Sequence, residues 1–259
     1  MPRAPLLETS CWTKAGPLHV EPRLRALGLR HGVTTSGLGN MKDAASRRRA
    51  LAAAGLSGDA LILKQVHGTG IVDTASVGPG GCAPQGSDKG SVEGDGWVCA
   101  QKGVTPAVYI SDCLPIFMWD LERTAAGVFH AGWRGLAAGM PRAAVRAFGR
   151  LGLGPERLAA AVGPHVGACC YRVGPDVAAK FRAGVISAPS PLAGEGRGGG
   201  MLDLGAEARL QLEESGLAGE RISVSPACTA CEPSEFFSYR RDKLDRRLLA
   251  FITLPEATA

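Results

Sequence analysis

Residues 125–135, AAGVFHAGWRG, join a short apolar run to a histidine, a glycine-containing turn and the beginning of a predicted helix. This order of features is typical of a β-strand that ends at the rim of a sheet, where α/β proteins place functional side chains. Two other segments share the design, LILKQVHG at residues 61–68 and AVYISDCLP at residues 107–115. Each of the three therefore carries a histidine or a cysteine where a strand is expected to end.

The rest of the chain alternates between strand and helix patterns. Residues 43–54 predict a helix because Asp43 is a good N-cap and Gly55 ends the run. We expect an α/β protein of the α+β type, a single layered domain over residues 1–259 with a mixed β-sheet packed against helices. Strands are predicted at residues 60–66, 70–74, 104–110, 125–129, 157–162 and within 221–254, and further helices at 136–149, 175–182 and 203–215.

One segment interrupts this pattern. Residues 187–200, SAPSPLAGEGRGGG, are a low-complexity stretch of mostly small residues, and they bury too little apolar surface to order themselves. The sequence predicts a flexible loop there, too short and too central to separate two domains.

Composition excludes two classes of partner. No apolar run approaches the roughly 18 residues that a membrane-spanning helix needs, and the N-terminus lacks the apolar segment of a signal peptide. The net charge of +5 is mild and spread along 259 residues, unlike a nucleic-acid-binding surface. Neither a membrane nor a nucleic acid is an expected partner. The eight cysteines are expected to be mainly reduced thiols of a cytoplasmic protein.

The three strand-end residues are His67, Cys113 and His130. Two imidazoles and a thiolate are a suitable ligand set for Zn²⁺, and three protein ligands leave the fourth position open, as in catalytic sites. Two other interpretations of these residues stay open. Cys113 could be a nucleophile activated by His130 in a cysteine hydrolase or deamidase, or the residues could simply pack at strand ends.

Two further segments suit an anionic ligand. In HAGWRG, Gly132 and Gly135 permit close approach of the backbone to a ligand, and Arg134 begins a predicted helix. The alternative is structural, with the glycines serving a tight turn and Arg134 pairing with a carboxylate. Arg240 opens the run RRDK after three aromatic residues. It suits either substrate contact or an ion pair within the run that includes Asp242.

The remaining cysteines give weaker signals. Cys228 and Cys231 form a single C-x-x-C, whereas a structural zinc site needs a second pair or two histidines nearby in sequence. We therefore expect two buried thiols. Cys169 and Cys170 are expected to pack as small residues rather than to take part in redox chemistry.

Six motifs occur in order between residues 32 and 254, and together they carry a resemblance: LKQVHG, DGWV, SDCLP, HAGWRG, GP…CCYRVGPDV and CTACEPSEFFSYRRDK. The chain resembles the YfiH-like family, also called the laccase-domain or multicopper polyphenol oxidase family, whose members are described as purine nucleoside phosphorylases. The resemblance implies that His67, Cys113 and His130 bind a metal. It also implies phosphorolysis of adenosine, inosine and methylthioadenosine, together with deamination of adenosine.

The same resemblance suggests partners and roles. The expected partners are a purine nucleoside and phosphate, with zinc as the cofactor and copper as the alternative metal; a homodimer is compatible with the sequence. Arg134 is the candidate for the anion, Asn40 for the ribose, and Gln65 and Asp112 for hydrogen bonds to substrate or metal ligands. Copper-dependent phenol oxidation is a weaker alternative because five histidines are too few for a multicopper centre. A housekeeping role toward cell-wall precursors is a further alternative.

The chain departs from the family pattern at two places. Thr35 and Ser36 stand where the arginine of an Arg-x-Gly-Gly segment is expected, and Arg172 stands where the family commonly has glutamate. If the missing arginine binds phosphate, we expect phosphorolysis to be weaker than in a family member that retains this arginine, and deamination to be less affected.

Overall fold

A computed structural model describes residues 12–77, 92–187 and 199–255. Across these ranges, no helix combines the length and the apolar character that crossing a membrane requires. The strands, in chain order, are β1 (Thr13–Ala15), β2 (Leu18–Val20), β3 (Arg30–Thr34), β4 (Leu61–Ile62), β5 (Ile71–Asp73), β6 (Gly96–Cys99), β7 (Pro106–Ile110), β8 (Leu114–Asp120), β9 (Ala126–Ala131), β10 (Leu158–Val162), β11 (Arg172–Val173), β12 (Ile186–Ser187), β13 (Gly200–Leu202), β14 (Ile222–Val224) and β15 (Leu248–Thr253).

The α-helices are short, and the longest are ten or eleven residues. Their N-termini follow ordinary capping rules, with the carboxylates of Asp43 and Asp203 accepting backbone N–H groups in the first turns. The helices are α1 (Pro22–Ala26), α2 (Ala44–Ala53), α3 (Trp133–Ala137), α4 (Met140–Gly149), α5 (Pro175–Ala178), α6 (Leu204–Glu214) and α7 (Tyr239–Asp242).

Two six-stranded sheets and a small three-stranded sheet organise the described residues. The first has the order β1-β2-β3-β15-β7-β4 and the second β14-β10-β8-β9-β6-β5. Each mixes orientations, since β4/β7, β5/β6 and β10/β14 are parallel pairs and the remaining pairs are antiparallel. The small sheet has the order β11-β13-β12.

The two large sheets pack face to face with helices outside them. Along β15, Ala250 and Ile252 belong to the apolar core between the sheets, whereas Leu249 and Phe251 face α2 on the opposite side. Along β8, Phe117 enters the core between the sheets and Met118 packs toward α4 and α6. The period-two alternation of strands therefore produces four layers, helix, sheet, sheet and helix. The predicted fold class is confirmed, with two large sheets where the sequence suggested one.

Several predicted elements have different bounds. The strand predicted at residues 60–66 is shorter in the structure and comprises only Leu61–Ile62 of β4. It ends early because the side-chain amide of Gln65, and not its backbone, bonds the N–H and the carbonyl of Tyr109. The helix predicted at residues 136–149 is divided into α3 and α4 by Gly139, whose φ is +86°.

The last third of the chain holds the other differences. Between residues 221 and 254 only β14 and β15 are strands, and the run SEFFSYRRDK forms turns and α7 instead. The helix predicted at 175–182 is confined to α5. Of the predicted loop, Ser187 pairs with Met201 in the small sheet, and residues 188–198 lie outside the described residues.

Candidate active site

The structure brings His67, Cys113 and His130 together. Their ligand atoms all lie within 4.8 Å of one another, although the residues come from three separate segments. His67 lies in the turn after β4, and Cys113 lies in the three-residue turn between β7 and β8. His130 lies within β9, opposite Pro115 of β8, and not beyond the strand end as the sequence suggested. These three residues, which together could hold a metal ion, are called the ligand trio.

A buried carboxylate, Asp95, holds two members of this trio and has no expected role from the sequence. Asp95, immediately before β6, is fully buried and accepts a hydrogen bond of 2.9 Å from Nδ1 of His130. The same carboxylate accepts the backbone N–H groups of Val66, His67 and Gly68 at 2.7–3.2 Å. Asp95 therefore orients the His130 ring, leaving Nε2 for a ligand, and stabilises the turn that presents His67 in its left-handed conformation, with φ of +60°.

Charge reinforces this geometry. Burial raises the pKa of Cys113, but the neighbouring His130 and His67 outweigh burial and lower that pKa well below its ordinary value. Burial lowers the pKa of His130, but Cys113 and Asp95 outweigh burial and raise it. Burial likewise opposes the charge of Asp95, yet the hydrogen bonds from His130, Gly68 and His67 hold its pKa below the usual range. The thiol is thus prepared as a thiolate, the form that binds metals or attacks carbon.

Each of the two glycines of HAGWRG lies where a side chain would not fit, and the neighbouring atoms differ between them. A Cβ atom on Gly132 would lie 3.0 Å from Sγ of Cys113 and 3.2 Å from the His67 ring. A Cβ atom on Gly135 would lie 2.9 Å from the carbonyl oxygen of Gly68. Gly132 therefore allows the backbone to approach the ligand trio, and Gly135 allows α3 to pack on the turn after His67.

The ligand trio opens into a cavity of about 790 Å³. Among the described residues that line it, six are lysines or arginines and one, Asp112, is a carboxylate, so the cavity favours an anion. Four aromatic rings complete the walls. The cations are Lys42, Lys64, Arg134, Arg240, Lys243 and Arg247, and the aromatic residues are Tyr109, Trp133, Tyr171 and Tyr239.

Arg240 and Asp112 occupy one wall of the cavity. The guanidinium of Arg240 lies over the Tyr171 ring at 4.8 Å from its centroid, and its backbone N–H donates to Oδ2 of Asp112 at 2.6 Å. The other oxygen of Asp112 accepts the Thr229 hydroxyl at 2.7 Å. Asp112 thus connects the turn that carries Cys113 to the two segments behind it.

The two interpretations of the RRDK run each apply to a different arginine. Arg241 pairs with Asp242 at 2.7 Å and donates to the carbonyls of Thr229, Ala230 and Phe236. It is a structural residue. Arg240, by contrast, faces the cavity.

Of the other predicted site residues, Arg134 and Gln65 line the cavity and Asn40 does not. Arg134 is exposed and stacks on Trp133 with its Cζ atom 4.5 Å from the ring centroid, in a helix of five residues. Gln65 lines the cavity, while its side-chain amide bonds the backbone of Tyr109. Asn40 lies outside the described set of lining residues, and its Oδ1 accepts from the backbone N–H groups of Lys42 and Arg247.

Thr35 and Ser36 also lie outside that described lining. Their hydroxyls donate to the carbonyls of Pro17 and Ser234. Lys42, Lys64, Arg247 and Tyr171 were not singled out from sequence, and Lys243 was quoted only as the end of the RRDK run. Of these, Tyr171 stood within the quoted CCYRVGPDV stretch, as Asp95 stood within DGWV.

The family model described as multi-copper polyphenol oxidoreductase laccase matches residues 38–255. The chain belongs to this family. It is 36% identical to a purine nucleoside phosphorylase of Streptomyces coelicolor over 220 residues, which is 84% of this chain and 85% of that protein. It is also 38% identical to the purine nucleoside phosphorylase YlmD of Bacillus subtilis over 165 residues, 63% of this chain and 59% of the relative.

A solved member has the same fold. The crystal structure of YlmD from Geobacillus stearothermophilus superimposes with a TM-score of 0.81 at 29% identity, over 95% of this chain and all of that one. The family description names copper, whereas the ligand trio offers two imidazoles and one thiolate. Such a set can hold zinc or copper.

Proposed function

We propose that this protein is a zinc-dependent purine nucleoside phosphorylase. The observation that carries the proposal is the content of one cavity: three metal-competent side chains, six cations, one carboxylate and four aromatic rings among the described lining residues. A purine nucleoside needs apolar ring contacts, and phosphate needs fixed positive charge. The purine nucleoside phosphorylases of Streptomyces coelicolor and Bacillus subtilis, similar over much of this chain, support the same assignment.

The ligand trio suits zinc. Its donors can reach one ion, Asp95 orients His130, and three protein ligands leave one coordination position for substrate or water. When held by these three side chains, zinc would supply a Lewis acid to the cavity that they line. The chain itself contributes the orientation of the ligands and the thiolate form of Cys113.

Phosphate is assigned to the cationic wall. Arg240 is the strongest candidate, because stacking on Tyr171 and the backbone bond to Asp112 restrict where its guanidinium can move. A guanidinium can bind two oxygens of one phosphate in parallel. Thr35 and Ser36 stand in place of the family arginine and carry no positive charge. Lys42 and Arg247 line the cavity and supply positive charge instead. Asn40 accepts a hydrogen bond from the backbone N–H group of each of them. Phosphorolysis then proceeds by attack of phosphate on C1′ of the ribose, with the purine as leaving group.

Deamination of adenosine is the second activity that we assign to the cavity. It needs the metal and a held purine but no phosphate site, so it depends less on Arg240. The test is product analysis of adenosine incubated with zinc-loaded protein, with and without phosphate. We expect adenine and ribose 1-phosphate only when phosphate is present, and inosine in both cases. No turnover of adenosine or inosine by zinc-loaded protein would refute the assignment.

The variant Arg240→Met sharpens this test. It removes the guanidinium but retains the backbone N–H that donates to Asp112. We expect the KM for phosphate to rise on the order of tenfold or more, with deamination changed far less. Arg48→Met is the matched control, since Arg48 is exposed and outside the described cavity lining.

One observation favours a different enzyme class. Cys113 as thiolate, His130 beside it and Asp95 bound to His130 have the order of a nucleophile, a base and an orienting carboxylate. A Cys-His hydrolase or deamidase is therefore the second candidate. Protein isolated without zinc, in which Cys113 is rapidly alkylated, would favour the hydrolase; stoichiometric zinc that protects Cys113 from alkylation favours the phosphorylase.

Copper-dependent phenol oxidation is less well supported by the side chains. The three histidines outside the ligand trio bond other partners: His19 contacts Glu235, His31 contacts Leu29 and Glu21, and His165 contacts Gly163. A multicopper centre needs many more imidazoles than the two of the trio.

A further inference from the structure

A cluster of four cysteines adjoins two residues of the cavity lining, Tyr171 and Asp112. Cys169, Cys170, Cys228 and Cys231 are all free thiols, and their Sγ atoms lie within 4.8 Å of one another. Sγ of Cys231 is 3.6 Å from that of Cys169 and 3.4 Å from that of Cys170. From the sequence these residues are two separate pairs, and both thiols of the C-x-x-C are expected to be buried. Cys228 is buried but Cys231 is exposed.

The backbone explains why two distant pairs meet. An isolated bridge joins His165 to Cys228, and the N–H of Thr229 donates to the carbonyl of His165 at 3.0 Å. Each pair then lies in a tight turn, with the N–H of Cys170 bonded to Gly167 and that of Cys231 bonded to Cys228. The two turns thus present their thiols to each other.

We propose that these four cysteines bind a second zinc ion. A tetrahedral zinc–thiolate site has Zn–S bonds of about 2.3 Å, which places its sulfur atoms about 3.8 Å apart. The Sγ–Sγ distances of 3.4 and 3.6 Å from Cys231 are close to that sulfur–sulfur distance. Four cysteines are the donor set of closed, structural zinc sites, and one of the pairs has the C-x-x-C spacing common in them. This inference does not depend on the proposed nucleoside activity.

A hydrogen bond to sulfur supports the same assignment. The N–H of Gly167 donates to Sγ of Cys228 at 3.2 Å. Backbone N–H groups that donate to a ligating thiolate are typical outer contacts of metal sites. A side chain on Gly167 would crowd this arrangement, because its Cβ atom would lie 3.2 Å from Sγ of Cys169.

The position of the cluster indicates its role. Cys170 precedes Tyr171, whose ring supports Arg240, and Thr229 lies between Cys228 and Cys231 and donates to Asp112. A metal here would therefore fix two turns that position one wall of the cavity, without contacting the substrate. The second zinc would be structural and the cysteines positioning residues.

The decisive measurement is zinc content per chain in purified, zinc-loaded protein by plasma mass spectrometry. We expect two zinc ions in the native chain, one in Cys231→Ser and one in Cys113→Ser. Cys99→Ser is the matched control and should retain two, because Cys99 is buried elsewhere and bonds Gln101. One zinc in the native chain, unchanged in Cys231→Ser, would overturn the proposal.

Cobalt(II) gives an independent test of the ligands. Thiolate-to-cobalt absorption grows with the number of thiolates, so a four-thiolate site should dominate the near-ultraviolet spectrum. We expect Cys169→Ser to lose most of that absorption and Cys113→Ser to lose little; the reverse result contradicts the assignment. Alkylation of unfolded, chelated protein should label all four cysteines, and peptide mapping that finds a disulfide among them would also overturn it.

Discussion

The ligand trio and the four-cysteine cluster are two metal-competent regions with opposite designs. The trio joins turns and strands of both large sheets, is oriented by a buried carboxylate and opens into a cavity. The cluster joins two turns that are distant in sequence, uses sulfur alone and has two exposed thiols. Three ligands with an open position are suited to chemistry, and four ligands with none are suited to holding loops in place. Donor number and surroundings thus distinguish the two regions.

The largest effects are expected from the ligand trio. Replacing His67, Cys113 or His130 individually by alanine should remove zinc from this site, because two remaining ligands compete poorly for the ion. Activity should fall by at least about a hundredfold, since the Lewis acid is lost. Zinc content and kcat/KM for adenosine are the measurements. His19→Ala serves as the control, and full zinc retention in all three variants would place the metal elsewhere.

Asp95→Asn should have the next largest effect. The amide retains one oxygen for the backbone but loses the charge that raises the basicity of His130 and holds three N–H groups. Replacing such outer partners typically lowers metal affinity by about 10–100-fold. Competition with a chromophoric chelator measures this affinity. An unchanged zinc affinity would mean that Asp95 only supports the fold.

Gly132→Ala tests how closely the backbone encloses the trio. The added methyl group would lie 3.0 Å from Sγ of Cys113, so either the sulfur or the turn must shift by a few tenths of an ångström. We expect a roughly tenfold loss of activity, consistent with displaced catalytic groups, and a modest change in Tm. Gly149→Ala is the control because open space surrounds that position. Equal activity in the two variants would contradict the close approach.

The smallest effect on chemistry is expected from the cluster. Cys231→Ser should lower the Tm by several degrees, while kcat/KM for adenosine falls by only about threefold, because the cysteines act through Tyr171 and Asp112. Differential scanning calorimetry and steady-state kinetics separate the two readouts. A loss of activity as large as that of His67→Ala would remove the distinction between the two regions.

The sequence was informative where one residue type carries its own chemistry. His67, Cys113 and His130 could be selected because each follows or ends an apolar run, and the helix from Ala44 to Ala53 could be placed from its caps. Asp95 could not be selected from the sequence, because its carboxylate binds mainly backbone N–H groups, which every residue except proline carries.

Roles that depend on tertiary contacts could not be predicted from the sequence either. Cys170 and Cys231 meet only because an isolated bridge aligns two distant turns. Nor could sequence separate Arg240 from Arg241, since the difference lies in the partner that each guanidinium finds after folding. The sequence pattern indicates which side chains are present, and the packing of the folded chain determines which of them come into contact.

The short turn from β7 to β8 has a thermodynamic consequence. At Cys113 the chain passes from the first large sheet to the second, while His67 follows a strand of the first and His130 belongs to the second. A metal bound there connects the two sheets at the edge of their shared core. Ion concentration and conformational stability are then linked, and free metal at about 100 times its Kd would add about 2.7 kcal/mol to the free energy of unfolding. In a cell, the availability of the metal would therefore set how often these sheets separate, and with it the lifetime of the chain against proteolysis.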